Sequence, residues 1–185
     1  VDVDGTITVL AERYNGQRFN SPNDLWIDPL GGVYFTDPRY GATDDVELTG
    51  NHVYYITPER QVVVQVTSEL VRPNGVVGTS DGSRLYVADH GGGRTYIYDI
   101  DSDGRLRNRR LFVEQISDGM TIDARVNVYM TGDDVTIYNR DGNSVGSIAV
   151  PEPPANLAFG GVNGTTLFIT ARTSLYAVEM TGTGQ

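Results

Sequence analysis

The chain has 185 residues, a formal net charge of −10 and no cysteine. Its length suits one domain, and the missing cysteine excludes disulfides, thiolate metal ligands and cysteine nucleophiles. The acidity argues against nucleic acid, because phosphate binding needs a positive face and the basic stretch 105–110 is too short to supply one.

In chain order, the elements are short strands and turns. Asp4-Gly5 opens with a turn signal, and Pro22-Asn23-Asp24-Leu25 then leads through Gly31-Gly32 to Tyr34-Phe35-Thr36. Val53-Tyr54-Tyr55-Ile56 and Val62-Val63-Val64 are β-branched and aromatic, which favours strand. Pro73-Asn74-Gly75-Val76 leads through Asp81-Gly82 to Tyr86-Val87-Ala88, and Tyr96-Ile97-Tyr98 follows. Asp99, Asp101, Asp103 and Gly104 copy the first half of a helix-loop-helix calcium loop. The twelfth position is Arg110, where that motif needs a bidentate Glu, so a hairpin turn is predicted. Ser117-Asp118-Gly119-Met120 leads to Tyr129-Met130-Thr131, and Val135-Thr136-Ile137-Tyr138 and the turn Asp141-Gly142 come next. Finally Ala155-Asn156-Leu157 leads through Asn163-Gly164 to Phe168-Ile169-Thr170. No apolar pattern keeps a helical period long enough to predict a helix.

Four of these segments repeat one layout: a polar anchor, a hydrophobic strand, a turn, and a second strand with an aromatic. Anchor and aromatic lie 11 or 12 residues apart, and successive anchors are 51, 44 and 38 residues apart. A period of about 40–45 residues with four strands per unit predicts an all-β fold, a β-propeller, with residues 1–185 as a single domain. Innermost strands line a propeller's central channel, so Asn23, Asn74, Asp118 and Asn156 are predicted to converge on one face. Three carboxamides and a carboxylate there suit a hard cation such as calcium, which takes oxygen ligands in irregular geometry. Asn and Asp also cap turns through their own backbone, and spacing alone leaves both readings open. His52 and His90 are the two histidines, too few for a zinc or copper site without thiolates. His90, in a glycine-rich loop, is a candidate general base or a plain loop histidine.

No apolar run approaches the roughly 20 residues that span a bilayer, so a membrane partner is not expected. No leader pattern precedes the first strand, and any such segment would lie upstream of Val1. A soluble chain on either side of a membrane is compatible with this composition.

The anchor segments also resemble the gluconolactonase group of six-bladed propellers, which includes senescence marker protein 30 (regucalcin) and the squid-type diisopropylfluorophosphatase. The matching stretches are RFNSPNDLWIDPLGGVYFTDPRYG, RPNGVVGTSDGSRLYVAD, SDGMTIDARVNVYMTG and PEPPANLAFGGVNGTTLFITARTSLY, in order from Arg18 to Tyr176. They are most similar to bacterial gluconolactonases. The resemblance implies calcium-dependent hydrolysis of a sugar lactone to the aldonic acid, with one divalent cation; Mg2+, Mn2+ and Zn2+ are alternatives to Ca2+. It implies Asn23, Asn74 and Asp118 as metal ligands, with Asp118 also catalytic as base or nucleophile. Asp24, Asp37 and Asn156 are candidates for contact with sugar hydroxyls, and turn or strand-end capping is the alternative for the two carboxylates.

The family's Glu ligand, from an early Glu-Gly-Pro motif, has no counterpart here, and Glu12 lacks that motif. Against six blades the chain supplies about four, lacking the N-terminal ones, which points to a fragment of a longer protein. An open ring exposes a sheet edge and predicts association there. Phosphotriester hydrolysis on the same metal platform and a non-catalytic calcium- or partner-binding propeller are the competing functions.

Overall fold

A computed structural model describes residues 4–185. A small hairpin of β1 (Arg13–Tyr14) and β2 (Gln17–Arg18) comes first. Its Asn15-Gly16 turn has both residues at positive φ, 49° and 82°, which matches the twist of a two-residue hairpin. Four antiparallel sheets follow. The first holds β3 (Leu25–Ile27), β4 (Val33–Asp37), β5 (His52–Ile56) and β6 (Val63–Gln65). The second holds β7 (Pro73–Gly78), β8 (Arg84–Asp89), β9 (Arg94–Ile100) and β10 (Leu106–Val113). The third holds β11 (Met120–Ile122), β12 (Val128–Thr131), β13 (Val135–Tyr138) and β14 (Ser144–Ile148). The fourth holds three strands, β15 (Pro154–Gly160), β16 (Thr166–Ala171) and β17 (Ser174–Glu179).

Each sheet is an up-and-down meander, as the repeat predicts, and among the described residues there is no helix. Turn pairs sit where expected: Asp81-Gly82 joins β7 to β8, and Asp103-Gly104 joins β9 to β10 as a hairpin. The fourth unit departs from the four-strand expectation. After β17 the chain turns back, with Ala124 N–H bonded to Thr183 C=O at 2.8 Å and Gln185 N–H to Ile122 C=O at 3.2 Å.

Alternation along the second strand of each sheet explains how the sheets stack, since successive side chains point to opposite faces. In β4, Tyr34 packs toward the second sheet, while Val33 and Phe35 pack toward the β1–β2 hairpin. In β8, Leu85 and Val87 join Tyr34, Tyr55 and Tyr98 between the first and second sheets. Tyr86 and Ala88 join Met120, Val128 and Met130 between the second and third. Tyr129 then packs with Leu167 and Ile169 between the third and fourth. The second strands of the first three sheets read as near-continuous apolar runs because both faces are buried, whereas β16 buries one face. Small residues let the sheets close up: a Cβ on Gly78 would lie 2.4 Å from the Trp26 ring, and one on Gly104 2.2 Å from Tyr55.

Candidate functional site

The polar anchors sit where each sheet's innermost strand begins, and hydrogen bonds from the second strand hold their backbones. Asn23 N–H bonds Thr36 C=O at 2.9 Å, and Asp118 N–H bonds Thr131 Oγ1 at 3.1 Å. Asn156 N–H bonds Thr170 Oγ1 at the same distance. Asn74 lies in a bulge, where β7 runs from Pro73 to Val76 while β8 runs from Asp89 to Val87. Bulges of this kind re-aim side chains beside functional sites.

The residue after each of the first three anchors meets the next sheet. Asp24 Oδ2 accepts Val76 N–H at 2.9 Å. Gly75 comes so close that a Cβ there would lie 2.6 Å from the Asp118 carbonyl oxygen, and one on Gly119 would lie 2.1 Å from Asn156 Oδ1. The anchors are therefore neighbours around one channel. Asn23, Asn74 and Asp118 line a single open pocket of about 910 Å³, with Tyr40, His90 and Ser117 also on its wall.

Asn74 is 5% exposed, and its Nδ2 donates to the Tyr40 hydroxyl at 3.0 Å. Its Oδ1 is buried without a hydrogen-bond partner. A buried, unpaired carbonyl is costly unless something fills its coordination. That orphaned oxygen, the neutral oxygen of Asn23 and the carboxylate of Asp118 form a donor set that fits a hard divalent cation. Among the described residues, no group of three or more His, Asp or Glu forms a candidate site, so the set holds one carboxylate.

The other candidates have different surroundings. The Asp24 oxygens accept the amides of Val76 and Leu25, and burial pushes its carboxyl up to about 6, with the Asp118 charge adding to the rise. Asp37 is fully buried, and its oxygens accept Asn20 N–H at 2.9 Å and Ser21 N–H at 2.7 Å. Burial raises its pKa against those two hydrogen bonds. Asn156 sits one sheet beyond Asp118, against Gly119, with its Oδ1 on the Leu157 amide at 2.7 Å. Glu12 lies at a separate surface hollow with Arg13 and Phe19.

Two features escaped the sequence reading. Tyr40 belongs to no repeat, and only its chain position after Asp37-Pro38-Arg39 marks it. Gly78-Thr79-Ser80-Asp81-Gly82 spells the Gly-x-Ser-x-Gly pattern of a hydrolase elbow. It runs from the end of β7 into the hairpin turn to β8, whereas a nucleophile elbow joins a strand to a helix. Ser80 therefore lacks the elbow's setting.

Comparison with known proteins agrees with the fold. A family model described as the SMP-30/Gluconolactonase/LRE-like region matches residues 1–173. The gluconolactonase of Zymomonas mobilis is 35% identical, the match covering 93% of this chain and 54% of that protein. The solved gluconolactonase of Xanthomonas campestris superposes with a TM-score of 0.87 at 30% identity, covering 96% of this chain and 63% of that one. A calcium-binding protein of Agrobacterium tumefaciens, regucalcin, shares the fold at a TM-score of 0.75 and 18% identity, covering 89% of this chain and 62% of that one. The chain thus spans about half the length of the curated relative and under two thirds of the solved ones, which are six-bladed propellers. By its stacked antiparallel sheets, its ordered anchors and a family match over nearly its whole length, the chain belongs to the SMP-30/gluconolactonase/LRE-like family.

Proposed function

We propose that the protein hydrolyses a sugar lactone to the aldonic acid in the pocket of Asn23, Asn74 and Asp118, with a divalent cation, calcium by donor chemistry, held by those residues. Family membership supports the reaction class. The observation that carries the metal is the buried Asn74 Oδ1 with no partner inside the protein. When bound, such a cation supplies Lewis-acid polarisation of the carbonyl under attack. Asn23 and Asn74 contribute neutral oxygens, and Asp118 contributes the charge. Asp118, held through its backbone by Thr131, takes the proton from an attacking water or adds to the lactone carbon directly. In the first route the water oxygen ends on the carbonyl carbon, the ring C–O bond breaks, and the ring oxygen leaves as the hydroxyl with the proton that Asp118 took. In the second the ring oxygen takes its proton from water and a second water cleaves the Asp118–acyl bond, restoring the carboxylate. Asn156, exposed and one sheet beyond Asp118, is the candidate for a sugar hydroxyl. The carboxylates of Asp24 and Asp37 each already accept two backbone amides.

Hydrolysis of glucono-1,5-lactone in calcium, then in excess chelator, tests the reading. Turnover that chelator abolishes is expected, together with a loss of about 100-fold or more in kcat for Asp118→Asn. Near-wild-type turnover by Asp118→Asn would sink the role of that carboxylate. Faster turnover of an organophosphate than of the lactone would favour the phosphotriesterase reading. A folded, calcium-loaded protein inert on both would favour a binding propeller, which the single carboxylate of the site also accommodates.

A further inference from the structure

Asn74 has two ends of opposite chemistry. Its Oδ1 can ligate a cation, whereas its Nδ2 is a donor that repels one. Backbone and bulge place the side chain at the pocket but leave open which end faces the cation, because a carboxamide presents either end after a half-turn. The Tyr40 hydroxyl can accept from Nδ2 or donate to Oδ1; with the oxygen given to a cation it is the acceptor that Nδ2 needs, which is the arrangement seen here at 3.0 Å. Tyr40 comes from the loop after β4, in the first sheet, and Asn74 from β7, in the second, 34 residues away. The ring of Tyr40 is itself held: the Arg72 guanidinium carbon lies 5.1 Å from its centroid, and the His90 ring meets it edge-on at 6.2 Å. Cation–π and edge contacts of this size fix ring orientation.

We infer that Tyr40 is a positioning residue that accepts the Asn74 Nδ2–H and so leaves the carboxamide oxygen to the cation, one sheet's loop supporting the metal ligand of the next. The inference rests on the metal reading above. Partners behind a metal ligand characteristically set affinity, and their loss costs about 10–100-fold.

Tyr40→Phe keeps the ring and its contacts and deletes only the oxygen. Calorimetric titration of the purified protein with calcium should show binding weakened by about 10–100-fold. The melting temperature of the metal-free variant should stay within about 2 °C of wild type, since Tyr40 is 40% exposed. Asn74→Ala should weaken calcium binding too, and adding Tyr40→Phe to it should cost nothing further, because the two residues act through one ligand. Wild-type affinity in Tyr40→Phe overturns the inference, as do fully additive losses in the double variant. Absence of calcium binding by the wild-type protein overturns the metal reading and this inference with it.

Discussion

Asn74 and Asp37 are both buried polar side chains, yet their bonding separates two kinds of residue. The oxygens of Asp37 accept the amides of Asn20 and Ser21, and Asp89 repeats the device one sheet later with the amides of Val71, Arg72 and Gly92. Such a carboxylate ties down the strand that leads into an anchor. Asn74 Oδ1 has no such duty. Asp37→Ala leaves two amides without an acceptor, at about 1–3 kcal/mol each, so a loss on the order of 2–6 kcal/mol is expected in urea unfolding. Wild-type stability with a raised KM for lactone would return Asp37 to substrate contact. The anchors were legible in the sequence because each recurs at one position of a repeat. Tyr40 was not, because its partner lies in another sheet and no spacing rule connects them.

At the scale of the strands, alternation and turn chemistry carried the reading. Val135–Tyr138 is both the predicted run and the observed β13, and Asp99 to Gly104 closes the β9–β10 hairpin as the missing Glu required. The bulge at Asn74 was not legible, because a bulge depends on the register of two strands and not on either alone. Gly75, next to it, is needed for space: a Cβ would sit 2.6 Å from the backbone oxygen of Asp118, and backbone cannot swing aside. Gly75→Ala should cost about 1–3 kcal/mol by overpacking and separate the Asn74 and Asp118 strands. Chemical denaturation checks the first effect and calcium titration the second; a variant equal to wild type in both would show that the sheets do not need this approach.

For the molecule as a whole, three buried seams join the four sheets of the described residues, and the fourth sheet buries one face. There Leu167 and Ile169 are buried on the inner face, while Phe168 is 37% and Leu175 67% exposed on the other. An exposed apolar sheet face with a free edge strand invites association. We propose that chains associate through this face, as the open ring of the sequence reading predicts. Sedimentation of the purified protein should depend on concentration, and Leu175→Arg should shift it toward the monomer. A monomer at every concentration tested would overturn this.

From the sequence alone came the strands and turns, the four-fold repeat, the all-β propeller class and the set of anchors facing one channel. These follow from local rules, namely side-chain alternation, turn residues and a recurring layout. Only the tertiary structure decided which polar groups are committed and which are free. Asp24 and Asp37 bind backbone amides, while Asn74 keeps an unpaired oxygen held in place by Tyr40. Those outcomes depend on contacts between residues far apart in the chain, which packing of the sheets creates and no local pattern encodes.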